Sequence, residues 1–263
     1  EDAALLKASA LRQIDGERSI EFLAEFLTSH PNANSVRTSV IGDLIREERY
    51  SDAIPHLQHL SREDASNANI RFTLALVLFE VGEFEESKAR VHRALSLGYE
   101  DRSSAYFQLG LIDEKLDALS AAANWFSSVP KGSRFIEAQT HLAKIKLATE
   151  GLEPTIAYLN QRANETPEYH VVFVELQGMM YREAGRLDDY FAVLDEGLEV
   201  APDEPSLLYS SAMAAEQLGR LDILEIRLRR LIELQPDNAQ AYNALGYTLA
   251  DKTDRFDEAK TLL

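Results

Sequence analysis

The sequence contains no cysteine, a single tryptophan and no long apolar run. Without cysteine the chain can form neither a disulfide nor a thiolate metal site, and its redox compartment is left open. No apolar segment approaches the ~18 residues of a membrane-spanning helix. No basic and apolar leader opens the chain either. We therefore expect no transmembrane segment in this stretch of sequence.

Basic residues are also scarce relative to acidic ones. The chain has 27 Lys and Arg against 44 Asp and Glu, a net charge of −17. This balance repels phosphate backbones and disfavours nucleic acid as a partner. It equally disfavours electrostatic docking on an anionic membrane. High acidity keeps a long protein soluble, and we favour that explanation over a basic partner.

The sequence has none of the usual constellations for catalysis. It has no glycine-rich phosphate loop after a strand and no nucleophile elbow. His56 and His59 are spaced to share one metal ion on a helix, but no third ligand accompanies them. The other four histidines are isolated in the sequence: His30, His92, His141 and His170. We therefore predict a protein that is not an enzyme and needs no cofactor or metal.

What the chain does contain is an internal repeat. Gly185-Arg186-Leu187-Asp188 recurs 34 residues later as Gly219-Arg220-Leu221-Asp222. Ala201-Pro202-Asp203 recurs at the same interval as Gln235-Pro236-Asp237, and a third copy opens at Ala239. Apolar residues follow a helical period between these signals. A period of this length with a mid-unit turn is typical of stacked helix–turn–helix pairs.

The same period extends over the whole chain. We predict units near 1–33, 34–67, 68–102, 103–135, 136–170, 171–204 and 205–238, with a truncated unit at 239–263. No linker or low-complexity run separates them, so we interpret the chain as one continuous array. It starts at Glu1 and stops inside an expected helix at Leu263. We therefore expect a longer parent protein.

These units resemble the tetratricopeptide repeat (TPR) family over essentially the whole chain. The resemblance implies an all-α fold, an α/α superhelical solenoid of helix–turn–helix repeats. It also implies a non-enzymatic scaffold that binds a protein or peptide in a concave groove lined by the first helix of each unit. The oligomeric state stays open.

The resemblance also implies which side chains face that groove. Mapped onto this chain they are Phe72, Leu76, Phe79, Phe107, Leu111, Glu114, Glu175, Met179, Arg182, Tyr209, Met213, Asn243 and Tyr247. We expect about half of them to be exposed and the others to pack between units. The track is apolar and aromatic with acidic flanks at Glu80, Glu114 and Glu175. Such flanks favour a ligand with apolar anchors and some Lys or Arg.

One TPR subclass grips a C-terminal carboxylate with Lys and Asn in the groove. The matching places here hold Thr38, Gly42, Phe72, Leu76, Phe107 and Leu111. This departure argues against a co-chaperone of that subclass.

A shorter resemblance concerns Tyr242–Asp251 and Arg255–Ala259. These residues are similar to a stretch of long TPR lipoproteins of Gram-negative envelopes, a class that includes adaptors of carboxy-terminal processing proteases. The resemblance implies a lipoprotein on the periplasmic side of the bacterial outer membrane that brings substrates to such a protease. The lipid-anchoring cysteine of that class is not in this stretch. The alternative is a cytosolic TPR regulator or complex-assembly factor.

Overall fold

A computed structural model describes all residues, 1–263. It contains sixteen α-helices, one short 3-10 helix and no strand. The all-α prediction is therefore confirmed. The helices are α1 (Asp2–Arg12), α2 (Gly16–Ser29), α3 (Asn34–Arg46), α4 (Tyr50–Glu63), α5 (Ala68–Glu80), α6 (Phe84–Ser96), α7 (Arg102–Lys115), α8 (Leu119–Ser128), α9 (Phe135–Glu150), α10 (Leu152–Glu165), α11 (His170–Glu183), α12 (Leu187–Val200), α13 (Pro205–Gln217), α14 (Leu221–Leu234), α15 (Ala239–Lys252) and α16 (Phe256–Leu262). The 3-10 helix is Pro167–Tyr169.

The contacts between residues fall into two groups, which divide the chain into two compact units, Glu1–Leu142 and Ala143–Leu263. In the first, each of α1 to α7 packs on the next helix, and the first helices α5 and α7 also touch. In the second, α10 to α16 pack in the same sequential way. First helices begin within one residue of the starts expected from the period, as at Asn34, Ala68 and Arg102. The division into repeats within one continuous array stays a prediction.

The turn between paired helices needs one residue in the left-handed region. Gly82 fills that place between α5 and α6 with a φ of 83°. In the next pair, where the sequence offers no glycine, Asp117 adopts a φ of 58°. Asp is one of the few other residues that tolerate this conformation. The helical pair is therefore kept although its turn lacks the expected glycine.

Side-chain caps fix where several first helices begin. Asn67 accepts a hydrogen bond from the backbone N–H of Ile70 at 3.1 Å, and Asp101 accepts one from Ser104 at 3.0 Å. In the second unit Asn238 accepts a hydrogen bond from the backbone N–H of Ala241 at 3.0 Å. Each cap satisfies a donor that has no partner within the helix, which favours the helix start at that residue.

Small residues let paired helices approach closely. A Cβ atom placed on Gly110 of α7 would lie 2.5 Å from the ring of Phe126 on α8. In the second unit a Cβ on Gly178 would lie 3.0 Å from the ring of Tyr190. Both rings are buried. These glycines therefore permit close packing of the paired helices.

One carboxylate is buried inside the first unit. Asp43 of α3 is 1% exposed, and its carboxylate forms ion pairs with Arg12 at 2.5 Å and with Arg46 at 2.7 Å. The hydroxyl of Ser19 also donates to it at 2.8 Å. Burial acts to raise the pKa of Asp43, but these hydrogen bonds outweigh burial and hold the pKa below its ordinary value. The network joins α1, α2 and α3.

No helix of the chain combines the length and the apolar character that crossing a bilayer requires.

Candidate partner-binding face

The thirteen residues expected to face a partner lie on first helices, namely α5 and α7 in the first unit and α11, α13 and α15 in the second. We call the solvent-facing side of these helices the first-helix face. Four of the thirteen are exposed: Leu76, Arg182, Asn243 and Tyr247. Eight are partly buried: Phe79, Phe107, Leu111, Glu114, Glu175, Met179, Tyr209 and Met213. That these residues bind a partner stays a prediction.

Phe72 is the exception and corrects the expectation that its ring is accessible. It is only 6% exposed. Its ring stacks on Tyr99, with the ring centroids 4.3 Å apart. Tyr99 lies between α6 and α7, so the following connection covers Phe72. This side chain contributes to the core rather than to an open surface.

The first unit has an apolar cleft on its first-helix face. The cleft has a volume of about 190 Å³ and is lined by Ile45, Tyr50, Thr73, Leu76, Val77 and Glu80. Ile45 comes from α3, Tyr50 from the start of α4, and the other four from α5. Leu76 is 37% exposed. The cleft can therefore receive an apolar side chain against Leu76 and Ile45.

The cleft is acidic at one edge. Glu80 is exposed and forms no salt bridge or hydrogen bond. Burial raises the pKa of Tyr50, and the nearby carboxylates of Glu80 and Glu48 raise it further. A cationic side chain next to an apolar anchor would find an unpaired carboxylate here. This matches the kind of ligand expected from the acidic flanks.

A second cluster surrounds Phe107 on α7. The Phe107 ring lies 5.7 Å from that of His141 on α9 and 5.7 Å from that of Phe126 on α8. Arg134 places its guanidinium 5.4 Å from the centroid of the Phe107 ring. Phe107 is therefore partly covered by its neighbours, whereas Leu76 is open.

His141 is not isolated, contrary to its interpretation from the sequence. Its Nδ1 lies 2.6 Å from the carboxylate of Glu114. Its ring also stacks on Phe126 at 4.9 Å. Glu114 and His141 are 27 residues apart, and no sequence pattern pairs them. Sequence reasoning missed both His141 and Arg134 as members of this face.

In the second unit the first-helix face is more polar. Arg182 on α11 lies over the ring of Tyr190 at 5.9 Å. Tyr209 and Met213 on α13 pack against the core of this unit. Tyr209 also lines a cleft of about 310 Å³ between the start of α13, the end of α14 and the start of α15. Tyr247 on α15 is 68% exposed.

The histidine pair on α4 is not arranged for metal binding. Nδ1 of His56 lies 3.2 Å from Nη1 of Arg37, which donates to it. Burial lowers the pKa of His56, and the charge of Arg37 lowers it further. No cluster of three or more His, Asp or Glu residues has a geometry that could hold a metal ion.

One family model matches part of the first unit. Residues 44–109 match the family model described as tetratricopeptide repeat. Over 160 residues the chain is 31% identical to a TPR repeat-containing protein of Pseudomonas aeruginosa. That alignment covers 61% of this chain and 27% of the relative. The chain thus spans about a quarter of the length of the curated relative that it matches.

Two solved structures share the fold. A tetratricopeptide repeat protein from Parabacteroides merdae superposes with a TM-score of 0.56 at 14% identity, covering 94% of this chain and 98% of its own. The C-terminal part of a TPR repeat-containing protein from Cytophaga hutchinsonii gives a TM-score of 0.53 at 16% identity, covering 84% and 91%. The α/α solenoid fold predicted from the sequence is therefore confirmed.

Proposed function

We propose that this chain is an adaptor that holds a segment of another protein on its first-helix face. The observation that carries the proposal is the apolar cleft beside Leu76, with the unpaired carboxylate of Glu80 at its edge. Apolar anchors supply most of the binding energy of such surfaces, and polar rims supply specificity. The segment should therefore present an aliphatic or aromatic anchor next to Lys or Arg.

The finer proposal places the parent protein on the periplasmic side of a bacterial outer membrane, as a lipoprotein that brings substrates to a carboxy-terminal processing protease. Its support is the similarity of Tyr242–Asp251 and Arg255–Ala259 to that class. The relative in Pseudomonas aeruginosa is consistent with a bacterial setting. Fractionating cells that produce the parent protein tests the location. Recovery in the cytosol would replace this proposal with a cytosolic regulator or assembly factor.

The binding proposal is tested by site-specific photo-crosslinking. A photoreactive amino acid at Thr73, which lines the cleft, should give a discrete crosslinked partner band in producing cells. The same amino acid at Ala89, an exposed position on the second helix α6, serves as the matched control. Mass spectrometry of the crosslinked peptide then identifies the segment and shows whether it carries an apolar anchor beside Lys or Arg.

A substitution in the cleft completes the test. Leu76→Asp should abolish the Thr73 crosslink, because it adds a charge to an apolar cleft that already has Glu80 at its edge. Ile226→Asp is the control, since Ile226 is exposed on the second helix α14. Circular dichroism should be unchanged in both variants. An equal crosslink from Ala89, or a Thr73 crosslink that survives Leu76→Asp, would refute the proposal.

A further inference from the structure

A cleft in the first unit collects positive charge in a strongly acidic protein. It has a volume of about 440 Å³ and is lined by Gln58, Ser61, Arg62, Ala65, Arg71, Leu74 and Arg90. The lining contains three arginines and no acidic residue, although the chain as a whole carries a net charge of −17. We call it the arginine cleft.

The arginine cleft is separate from the apolar cleft around Leu76. Its lining includes Leu74 of α5, whereas Leu76 of the same helix lines the apolar cleft. Residues two apart on an α-helix point about 200° away from each other. The two clefts therefore open on opposite sides of α5. The arginine cleft lies toward the second helices α4 and α6, which contribute Arg62 and Arg90.

Arg71 forms the fixed floor of this cleft. It is 9% exposed and donates to Ser61 Oγ at 2.8 Å and to the backbone carbonyl of Ala65 at 2.8 Å. Two longer hydrogen bonds reach the carbonyls of Ser61 and Ala65. All of these acceptors are neutral, and one of its five N–H groups keeps no acceptor. No carboxylate therefore pairs with this buried guanidinium.

The repeat makes this arginine unusual. The same repeat position holds Tyr106, Gln139, Val174, Leu208 and Tyr242 in later units, and Val174 and Leu208 are core residues. It holds an arginine also at Arg37, where burial lowers the pKa of the guanidinium and the charge of Glu63 opposes that shift. Apolar residues therefore pack well at this position, and packing does not require Arg71.

Of the other two arginines, only Arg90 has a paired carboxylate. Arg62 is exposed and forms no salt bridge or hydrogen bond. Arg90 pairs with Glu86 through one terminal nitrogen at 2.6 Å. Its Nε is buried and has no hydrogen-bond partner. Buried donors without acceptors are uncommon and costly, and an external acceptor would satisfy this one.

We propose that the arginine cleft binds an oxyanion, a carboxylate or phosphate group. Planar guanidinium groups donate paired hydrogen bonds that match the oxygen spacing of both groups. The cleft is also as large as typical small-ligand pockets, which have volumes of about 300–1,000 Å³. Arg62 and Arg90 grip the anion, and Arg71 supplies a fixed positive charge below it. This site is independent of the first-helix face, so either assignment can fail without the other.

The test is a titration with sodium phosphate and, separately, sodium succinate, with ionic strength held constant by sodium chloride. The readout is the NMR signal of each arginine Nε–H group. Either probe should shift the Arg90 and Arg71 signals in a saturable way and raise the unfolding temperature, because a ligand that binds only the folded state stabilises it. The probe that binds more tightly identifies whether the natural group is a phosphate or a carboxylate.

Variants decide whether the response belongs to the cleft. Arg62→Gln and Arg90→Gln should each weaken binding at least about tenfold, as expected for loss of a charge-assisted hydrogen bond. Arg93→Gln is the control, because Arg93 is exposed on the same helix as Arg90 and does not line the cleft. Arg71 is left intact because it holds the end of α4. Unsaturable shifts with both probes, or equal weakening by Arg93→Gln, would overturn the proposal.

Discussion

Replacing each of two first-helix glycines by alanine measures the free-energy cost of overpacking a helical pair. Gly110 of α7 faces Phe126, and an added Cβ atom would lie 2.5 Å from the Cε1 atom of that ring. Phe126 is fully buried and stacks on His141, so its ring has little room to move. Gly42 of α3 has nothing within 4 Å of the same added atom.

Both glycines lie inside helices, so replacement by alanine brings the same gain in helix propensity, about 0.8–1.0 kcal/mol. Gly42→Ala should therefore stabilise the protein by about 1 kcal/mol. Gly110→Ala adds an overpacking cost of about 1–3 kcal/mol to that gain. The net effect of Gly110→Ala on stability should lie between no change and a loss of about 2 kcal/mol. The difference between the two variants isolates the packing cost, because the propensity gain cancels.

The assay is urea unfolding followed by circular dichroism, with both variants measured beside the parent. Gly110→Ala should unfold at a lower urea concentration than Gly42→Ala, with the parent between them or level with Gly110→Ala. The aromatic NMR signals of Phe107 and His141 should also shift in Gly110→Ala, because both rings touch Phe126. Equal stability of the two variants would refute the assigned contact between α7 and α8.

Two further predictions concern single buried side chains. Phe72→Ala should destabilise the protein by about 3–5 kcal/mol, the usual cost of truncating a buried phenylalanine, because Phe72 is buried against Tyr99. Urea unfolding measures this loss. Unchanged stability would mean that the ring of Phe72 is exposed to solvent. Asp43→Asn should cost about 3 kcal/mol at neutral pH, since it breaks a buried ion pair, whereas Glu21→Gln on the exposed side of α2 should cost little. The folded-state pKa of Asp43 is lowered, so its stabilisation is complete above about pH 3.9, the ordinary pKa of Asp, and is lost as the pH falls through the folded-state pKa. Parent stability should accordingly drop more steeply than that of Asp43→Asn on acidification, and parallel curves would contradict this assignment.

The repeat was predictable because its signals are local. Gly185 and Gly219 recur at a fixed interval, and each has a positive φ in the structure. The turn at Asp117 gave no such signal, since a left-handed Asp is rarer than a left-handed glycine. Helix starts followed from the same period, and Asn67, Asp101 and Asn238 cap three of them in the structure.

The detail of the first-helix face was less predictable, because it depends on contacts between residues far apart in the chain. The repeat position of Phe72 suggested an open groove, but Tyr99 from the following connection covers the ring. His141 joined Glu114 through packing of α9 near α7. Neither contact has a fixed spacing that a sequence pattern could reveal. The arginine cleft was missed for the same reason, as Arg62, Arg71 and Arg90 come from three helices.

One repeat position shows most directly that the first-helix face carries more than the fold requires. At the same place in successive repeats the chain holds Gly42, Leu76 and Leu111 in the first unit and Lys144, Met179, Met213 and Tyr247 in the second. Gly42 forms no contact that a side chain would need to fill, so an α3–α4 pair folds with nothing at this place. The side chains of Leu76 and Tyr247 are therefore not demanded by helix packing, whereas Met213 packs against the core of its unit. Leu76 and Tyr247 are even exposed, which costs solvation free energy in the unbound protein. Contact of Leu76 with a partner, as proposed above, would remove that cost, and its position is the first place to look for one.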